Sequence, residues 1–564
     1  MSSDDENLKL AMAMSLREDT AGTTENSPAS GVVDLTSDSG DDEDLRRAIA
    51  LSMQEDEKPN VAQQPASGTS TPATVSMLGF MGMDRKAMEQ ERLARLGKRK
   101  RDASPERPSK QIARSPPAIT PSKGSVLQYP KGVIKRTFAS KYPRTNDITI
   151  DELLEAPQVN IAVICSFQYD SSWMYEKLDP TRIKQIWLMY SKFRGEDIRE
   201  KLIREWTESR IPNMKLHFPP MDGMIVSMHS KFMLLFGKEK LRIAIPTANM
   251  TQTDWGEVGN DWQPGVMENS VFVIDLPRRS DDGVGKVEEL PSFGRDLIFF
   301  LKAQQVESRV TGGVLKFDFA DTKHLAFVHS IGGSHKEELE RPTGLPGLAN
   351  AVRELQYDDV EHIELDYAAS SLGAINDTFL SRIHLAARGK NFTQDNAAVP
   401  DVRDHFRIYF PTNETVEKSI GGSGCANIIS LSKKYYNAST FPKECLRDYD
   451  STRRGMLSHN KLLFARGRRT DGRPFAWVYV GSANISESAW GGQKVLKSGK
   501  VGALNVRNWE CGVIVPVPDD KLAHVDLKSD TVPPMSVFEG TVEVPFHFPG
   551  AKYEGRRPWL FGPA

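Results

Sequence analysis

The sequence predicts an α/β protein with two pseudo-symmetric halves that follow a disordered N-terminal tail. A ten-residue motif occurs twice, as T-A-N-M-T-Q-T-D-W-G at residues 247–256 and as S-A-N-I-S-E-S-A-W-G at residues 482–491. Each copy follows an apolar stretch that contains His-x-Lys. The composition also changes near residue 138, where Ser, Pro and charged residues give way to aromatic and apolar runs.

The tail, residues 1–137, nearly lacks aromatic residues and has the composition of a disordered segment. An acidic amphipathic pattern occurs in it at residues 4–18 and again at 41–55. Positions i, i+3, i+4 and i+7 share one face of a helix. In the two copies this face consists of Leu8, Ala11, Met12 and Ser15, and of Leu45, Ala48, Ile49 and Ser52. Both copies resemble ubiquitin-interacting motifs, which implies ubiquitin as a partner; two incidental amphipathic helices are the alternative.

Two shorter features of the tail also suggest partners. Residues 32–35, Val-Val-Asp-Leu, precede acidic residues, and such a β-prone run can add a strand to a partner's sheet. This run resembles a SUMO-interacting motif. The basic residues 98–101, Lys-Arg-Lys-Arg, indicate nuclear localisation or contact with nucleic acid, whereas an ordinary solvated linker is the alternative. We therefore expect the protein in the nucleus.

The two His-x-Lys stretches, Met228–Phe236 and Leu457–Ala465, are predicted strands because they are short, apolar and free of Pro. Second apolar runs follow them, at residues 241–246 and 475–480, and each leads into the Asn of the repeated motif. Side chains two apart on a strand point to the same side. Each His therefore shares a face with the Lys two residues later.

Six side chains thus recur in the order His, Lys, Asn: His229, Lys231 and Asn249, and His459, Lys461 and Asn484. Cleavage of a phosphodiester requires a nucleophile, a proton donor for the leaving oxygen, and positive groups for the phosphate oxygens. Histidine can serve as nucleophile or proton donor near neutral pH. Because each copy has one His, a covalent route with a separate acid requires both copies. A purely structural duplication is the alternative.

A glutamate follows each copy of the motif. Glu268 and Glu510 each stand at the entrance of an apolar run that ends in Pro. A carboxylate behind an imidazole fixes its tautomer and stabilises its cationic form. Each Glu is therefore a candidate partner for a catalytic His, with an ordinary strand-end Glu as the alternative.

The paired motifs resemble the phospholipase D superfamily, and in detail its tyrosyl-DNA phosphodiesterase family. Phospholipases of the superfamily usually carry an Asp five residues after the Lys, where this chain has Phe236 and Arg466. The similarity covers roughly residues 138–564. Its other matches are the runs W-E-C-G-V at 509–513, S-S-L-G at 370–373, G-G-S at 421–423 and R-P-W at 557–559.

The resemblance implies two phospholipase D-like domains, at residues 138–340 and 341–564, each a mixed β-sheet flanked by helices. The active site is expected at their junction, with residues 342–347 as a connector. His229 is implied as the nucleophile that forms a phosphohistidine with a DNA 3′ end. His459 is implied as the acid that protonates the departing tyrosine and then as the base that activates water. The implied phosphate clamp consists of Lys231, Lys461, Asn249 and Asn484, and Glu510 is implied to support a catalytic His.

The resemblance leaves other site residues open. The family's first-half Gln matches Asn260 in an ungapped comparison, with Gln263 and Glu268 as rivals. Ser371 and Ser423, in Gly-containing loops, are candidate contacts to DNA phosphates, and ordinary turns are the alternative.

Composition sets limits on the function. The four cysteines are scattered without metal-ligand spacing, no run of about 18 apolar residues occurs, and the net charge of −2 requires that any basic groove be local. The resemblance implies a DNA repair enzyme that hydrolyses 3′-phosphotyrosyl and other 3′-blocking adducts such as stalled topoisomerase I products. We expect it to be monomeric and to use neither metal nor cofactor. The alternatives are a nuclease or lipase of the same superfamily and a ubiquitin- and SUMO-binding scaffold.

Overall fold

The computed structural model describes residues 127–560, apart from 194–195, 259–264, 266, 282, 337–338, 394–398, 497, 499 and 528–531. The predicted ubiquitin and SUMO motifs and the basic residues 98–101 lie outside the described residues, and so do Asn260 and Gln263.

The first half is built on a mixed sheet. Its strands, in chain order, are β1 Val133–Thr137, β2 Asp147–Ile148, β3 Val159–Cys165, β4 Lys184–Leu188, β5 Lys192–Phe193, β6 Glu196–Asp197, β7 Met214–His217, β8 Ser227–Met228, β9 Phe232–Gly237, β10 Lys240–Pro246, β11 Met267–Glu268 and β12 Ser270–Pro277. The sheet order is β2-β1-β12-β10-β9-β3-β4-β7. β3, β4 and β7 run parallel, as do β1 and β2, and the other neighbours are antiparallel.

The second half repeats this design. Its strands are β13 Ala326–Ser330, β14 Gly333–His335, β15 His362–Ala368, β16 Ser371–Leu372, β17 Phe406–Phe410, β18 Ser430–Leu431, β19 Leu446–Asp448, β20 Leu457–Ser458, β21 Leu462–Arg468, β22 Pro474–Gly481, β23 Leu504–Val506 and β24 Asn508–Pro516. The order β13-β24-β22-β21-β15-β17-β19 matches β1-β12-β10-β9-β3-β4-β7, with the same strand directions. The predicted pseudo-symmetric α/β fold is confirmed.

Helices surround the two sheets, and several begin at a capping side chain. The α-helices are α1 Ile150–Leu154, α2 Ser171–Lys177, α3 Arg199–Ser209, α4 Ser292–Ala303, α5 Ser308–Val314, α6 Gly344–Glu354, α7 Asp377–Ala387, α8 Asn413–Glu417, α9 Lys433–Tyr436, α10 Glu487–Trp490 and α11 Asp519–Leu522. Asn376, for example, accepts a hydrogen bond from the Phe379 amide at the start of α7. None of the helices in the described range has both the length and the apolar character needed to cross a bilayer.

Strand alternation produces three apolar layers. On β9, Phe232 and Leu234 enter a core that also contains Phe464 and Val478 of the second half, whereas Met233 belongs to the outer core of the first half. Neighbouring side chains on a strand point to opposite faces, so one apolar strand can serve two layers. The two sheets therefore pack face to face across a shared core, and helices cover their outer faces.

Two boundaries differ from the prediction. β1 lies before residue 138 and pairs with β12, and β13 lies before residue 341 and pairs with β24. Both halves therefore begin earlier than the predicted limits of 138 and 341. The predicted connector at residues 342–347 was wrong as well, because α6 already begins at Gly344.

The predicted strands at the His-x-Lys stretches are each divided in two. β8 ends at Met228 and β9 begins at Phe232, while β20 ends at Ser458 and β21 begins at Leu462. The chain changes strand partner at this break: β8 pairs in parallel with β24, and β20 pairs in parallel with β11. Each His therefore lies where a strand of one half meets a strand of the other.

Candidate active site

Two equivalent backbone contacts fix the two histidines at the junction of the halves. The His229 amide donates to the Trp509 carbonyl at 3.1 Å, and the His459 amide donates to the Glu268 carbonyl at 2.9 Å. Each His is thus held by a strand of the opposite half. Both imidazoles are largely buried, at 8% and 4% residue exposure, so a small number of neighbours sets their chemistry.

The His229 imidazole is oriented by the Glu510 carboxylate. Its Nδ1 atom lies 2.9 and 3.1 Å from the two carboxylate oxygens. Ser482 Oγ donates to Glu510 Oε2 at 2.5 Å, and Asn508 Nδ2 donates to Oε1 at 3.0 Å. A carboxylate at Nδ1 places the ring hydrogen there and leaves the Nε2 lone pair available.

Burial and nearby positive charge keep His229 neutral. Burial, and after it the charges of Lys231 and Lys461, lower the pKa of His229 to about 4, although Glu510 acts in the opposite direction. At neutral pH the ring is therefore unprotonated, the state that a nitrogen nucleophile requires.

The His459 imidazole has a different carboxylate. Its Nδ1 atom lies 3.3 Å from Asp254 Oδ2, and the same oxygen accepts a hydrogen bond from the Asn249 amide at 2.6 Å. Burial would raise the pKa of Asp254, but His459, the Asn249 amide and Lys461 outweigh burial and lower this pKa below its usual value. Asp254 is therefore ionised beside the ring. The two imidazoles thus have carboxylates from different kinds of position, since Glu510 lies on strand β24 and Asp254 lies in a turn.

Glu268 does not support His459 through its side chain, so this prediction was wrong. Its carboxylate accepts hydrogen bonds from Arg136, from Tyr449 Oη at 3.2 Å and from Ser451 Oγ at 2.8 Å. It is the backbone carbonyl of Glu268 that meets His459. The side chain belongs to a buried network that joins β1 to the segment before β20.

The residue equivalent to Glu510 in the first half is Asn269. Thr247 Oγ1 donates to Asn269 Oδ1 at 2.8 Å, as Ser482 Oγ does to Glu510. The amide of Ser270 donates to Thr247 Oγ1 at 3.0 Å, which matches the contact from Cys511 to Ser482. The predicted alignment of the two glutamates was thus one residue out of register. An amide occupies the first-half position, and Asp254 supplies the carboxylate instead.

Asp254 was not among the residues predicted from the sequence, although the sequence contains a signal for it. In the repeated motif Asp254 aligns with Ala489, so this is a position where only the first copy carries a charge. Asp254 is almost completely buried. A buried carboxylate needs a partner, and its uneven occurrence in a repeat indicates that the two halves have different tasks.

Two buried ammonium groups lie beside the imidazoles. Lys231 Nζ donates to the His229 carbonyl at 2.9 Å, and Lys461 Nζ donates to the His459 carbonyl at 2.6 Å. Burial lowers the pKa of Lys231 to about 8, and burial together with the charge of Lys231 lowers the pKa of Lys461 well below its usual value. Burial thus destabilises both ammonium groups even though Glu510 and Asp254 act in the opposite direction, and a bound anion would stabilise them.

The side chain of each asparagine contacts residues of its own half. Asn249 Nδ2 donates to Gln168 Oε1 at 3.3 Å. Asn484 Oδ1 accepts from the amides of Ser370 and Ser371 at 3.2 and 3.1 Å, which directs its NH₂ group away from these amides. The ring of Phe167 lies 5.3 Å from that of His229 and forms one wall beside it.

The two predicted serine contacts differ in position. The amide of Ser371 donates to Asn484 Oδ1, so Ser371 lies next to a residue of the predicted phosphate clamp. Ser423 lies on the exposed 3₁₀ turn Ser423–Cys425, and no described contact joins it to the histidines or lysines. Contact of either serine with DNA stays a prediction.

Phe236 and Arg466 stand where phospholipases of the superfamily have an Asp, and both serve the packing of this chain. Phe236 belongs to the shared core. Arg466 is buried and donates to Asp366 Oδ2 at 2.7 Å and to the Pro533 carbonyl at 2.8 Å.

Comparison with known proteins agrees with this arrangement. The family model for tyrosyl-DNA phosphodiesterases matches residues 133–554, which include both histidines, both lysines and the two carboxylates. The chain belongs to the tyrosyl-DNA phosphodiesterase family. The model for the ubiquitin interaction motif matches residues 3–19 and 41–56, which confirms both predicted motifs in the tail.

Relatives of the family are distant in sequence. Tyrosyl-DNA phosphodiesterase 1 of Arabidopsis thaliana is 23% identical over 399 residues, which cover 67% of this chain and 60% of that protein. A probable tyrosyl-DNA phosphodiesterase of Caenorhabditis elegans is 22% identical, over 51% of this chain and 62% of its own. The chain thus spans about three fifths of these relatives. A crystal structure of the yeast enzyme shares the fold, with a TM-score of 0.54, 17% identity and coverage of 77% of this chain and all of that one.

Proposed function

We propose that this protein is a DNA repair phosphodiesterase that removes tyrosyl and other covalent adducts from DNA 3′ ends through a phosphohistidine. The observation that supports this most strongly is the pair of imidazoles, each with its own carboxylate, around two buried ammonium groups. One imidazole can attack phosphorus while the other transfers a proton, and the ammonium groups stabilise charge on the phosphate oxygens.

In the first step, Nε2 of His229 attacks the phosphorus of the 3′-phosphodiester. A P–N bond forms, and the P–O bond to the tyrosine breaks with its electron pair on oxygen. His459 gives that oxygen a proton, and Glu510 stabilises the positive charge that develops on His229. Lys231, Lys461, Asn249 and Asn484 hold the two non-bridging oxygens.

In the second step, His459, now neutral, accepts a proton from water as the water oxygen attacks the phosphorus. The P–N bond breaks, and the electron pair returns to Nε2 of His229. The products are a DNA 3′-phosphate and an enzyme whose His459 again carries a proton for as long as the phosphate product is bound. Asp254 keeps the His459 ring oriented for both transfers.

The proton on His459 depends on the bound phosphate. Burial, and after it the charge of Lys461, lower the pKa of His459 to about 3 in the free site. A phosphodiester anion next to the two ammonium groups acts with the opposite sign, because negative charge favours the protonated ring. Substrate binding therefore promotes protonation of His459 from solvent, and the protonated ring is the acid that the first step requires.

Turnover is expected to be insensitive to chelators, because Lys231 and Lys461 already supply positive charge at the phosphate. The test is cleavage of a single-stranded oligonucleotide with a 3′-phosphotyrosine, measured in excess EDTA and again with added Mg²⁺. Equal rates are expected, with a 3′-phosphate product. Loss of cleavage in EDTA and its recovery with Mg²⁺ would contradict the proposal, and release of a 3′-hydroxyl would indicate a different bond cleavage.

Asp254 and Glu268 should respond differently to substitution, although both are buried carboxylates. Asp254→Asn should lower turnover on the order of 10²-fold, because His459 loses its ionised partner. Glu268→Gln should lower the free energy of unfolding by roughly 3 kcal/mol, because Arg136 loses its buried partner and keeps only the partly exposed Glu543. Turnover per folded molecule should be nearly unchanged. Steady-state kinetics and chemical denaturation of both variants check this. Equal loss of turnover in the two would show that Glu268 also acts in catalysis.

We also propose that the tail binds ubiquitin through residues 4–18 and 41–55, whose matches to the motif model support this. One short helix buries little surface, so each motif alone should bind weakly, and linked ubiquitin should bind more tightly through effective concentration. Titration of full-length protein with mono-ubiquitin and di-ubiquitin tests this. Substitution of Ala11 and Ala48 by Arg should abolish binding, whereas binding that survives the double substitution would exclude the motifs. SUMO binding at 32–35 and nuclear import through 98–101 stay predictions.

A further inference from the structure

Two histidines and a glutamate converge at one end of the second sheet. His362 begins β15, Glu364 lies two residues further on, and His405 ends the 3₁₀ turn Val402–His405 that precedes β17. His362 Nε2 lies 3.0 Å and His405 Nδ1 lies 2.9 Å from the same atom, Glu364 Oε1. All three donor atoms lie within 4.8 Å of one another.

These distances approach those of a metal site. Zn²⁺ binds imidazole nitrogen and carboxylate oxygen at about 2.0–2.1 Å, so donors in a tetrahedral site lie about 3.3 Å apart. The two His–Glu separations need to open by only about 0.3–0.4 Å to reach this value. Two imidazoles with one carboxylate are a ligand set suited to zinc and similar transition metals, whereas Mg²⁺ and Ca²⁺ prefer oxygen ligands.

The surroundings orient these groups as a ligand shell does. Arg407 Nη1 donates to Glu364 Oε2 at 2.5 Å, which leaves Oε1 directed at the two histidines. Arg407 is itself fixed by Asp366, at 2.6 Å from Nε. Hydrogen bonds of this kind to the second carboxylate oxygen hold metal ligands in place.

A third imidazole provides an independent indication. His384 of α7 is 97% buried, and its ring centroid lies 5.9 Å from that of His405. Its Nδ1 atom has no hydrogen-bond partner among the described residues. Leaving such a nitrogen buried without a partner is costly, and a hydrated ion in the cluster is a group that could satisfy it.

The cluster is also accessible. The side chains of His362, Glu364 and His405 are 33%, 16% and 29% exposed, so an ion can enter from solvent and keep a water ligand. The opposite end of β15 leads to Ser370, which binds Asn484 of the active site. Six residues of strand separate His362 from Ala368, about 20 Å at 3.3 Å per residue, so an ion here takes no part in phosphate chemistry.

We propose that His362, Glu364 and His405 form a structural site for one Zn²⁺-class ion that joins the start of β15 to the turn before β17. Sequence spacing did not indicate this site, and no metal was predicted. The ligands His362 and His405 are 43 positions apart and are brought together by the parallel pairing of Leu365 with Phe406.

The test uses full-length protein stripped of metal and titrated with Zn²⁺ alone by calorimetry. One ion per chain is expected, with a rise in the midpoint of thermal unfolding because the ion binds the folded state. His362→Gln and His405→Gln should each weaken binding by at least about tenfold. The tail offers no competing ligand of this kind, because it contains neither His nor Cys.

Two controls locate the ion. His335→Gln, outside the cluster, should retain full affinity, and so should a His229→Gln/His459→Gln variant, which removes the active-site imidazoles. Turnover of His405→Gln on the phosphotyrosyl oligonucleotide, expected near the wild-type rate, reports that it is folded. Should it misfold, Co²⁺ absorption of the wild-type protein decides, because a four- or five-coordinate spectrum is expected and the six-coordinate aquo spectrum would refute the site. The absence of saturable Zn²⁺ binding, or affinity unchanged in both cluster variants, would also overturn the proposal.

Discussion

The His229→Ala variant is expected to lose turnover of a 3′-phosphotyrosyl oligonucleotide by on the order of 10⁴-fold or more, because the covalent route loses its nucleophile. The structure gives the physical reason. His229 is neutral, since its pKa is lowered to about 4, and Glu510 at Nδ1 leaves Nε2 free to attack. Single-turnover kinetics at saturating enzyme measure the loss without interference from product release.

Two comparisons make this result specific. His335→Ala removes an imidazole away from the site and should keep wild-type turnover. Glu510→Gln combined with His229→Ala should be no slower than His229→Ala alone, because Glu510 acts through the imidazole and groups that act as a unit are not additive. A His229→Ala enzyme within tenfold of wild type would contradict the assignment of the nucleophile.

The His459→Asn variant is expected to accumulate protein joined to DNA. Tyrosine is a comparatively good leaving group, with a pKa of about 10, so the first step can proceed slowly without its acid. Attack by water depends more strongly on a base, and loss of the base should slow the second step by roughly 10²–10⁴-fold. A shifted protein–DNA band in denaturing gels measures the accumulation.

The band should require the imidazole of the other half. His229→Ala/His459→Asn should give no band, whereas Asp254→Asn should give a weaker band of the same mobility, because His459 is still present but poorly oriented. A band of undiminished strength in the double variant would show that another residue attacks the phosphorus. Absence of a band in His459→Asn, with its turnover intact, would remove His459 from the second step.

Much of the site could be predicted because the chain repeats itself. The two His-x-Lys stretches and the Asn of each motif identified six groups. The apolar character of the same stretches correctly predicted strands there, which the structure has as β9 and β21. Glu510 could be found because it follows the second motif on an apolar strand. A repeat identifies site residues because residues at matching positions of the two motifs occupy matching positions in the two halves of the fold.

The rest depended on register and on contacts distant in sequence. A shift of one residue moves a strand side chain to the other face, and this separates Glu268, in the network of Arg136, from Asn269, the true equivalent of Glu510. Asp254 lies in a turn, where side chains do not follow the regular alternation of a strand, so the direction of its side chain could not be predicted. β1 was assigned to the tail because its partner β12 lies more than 130 positions later, and nothing in the local sequence shows this pairing.

Chemical mapping of the adduct formed by the His459→Asn variant identifies the residue that attacks the phosphorus. The trapped protein is digested under neutral to alkaline conditions, which preserve phosphoramidates, and the modified peptide is sequenced by mass spectrometry. We expect a nucleotide joined through phosphorus to His229, in the peptide that also contains Lys231, and release of the nucleotide on mild acid treatment. A nucleotide on any other residue, or an acid-stable linkage, would contradict it.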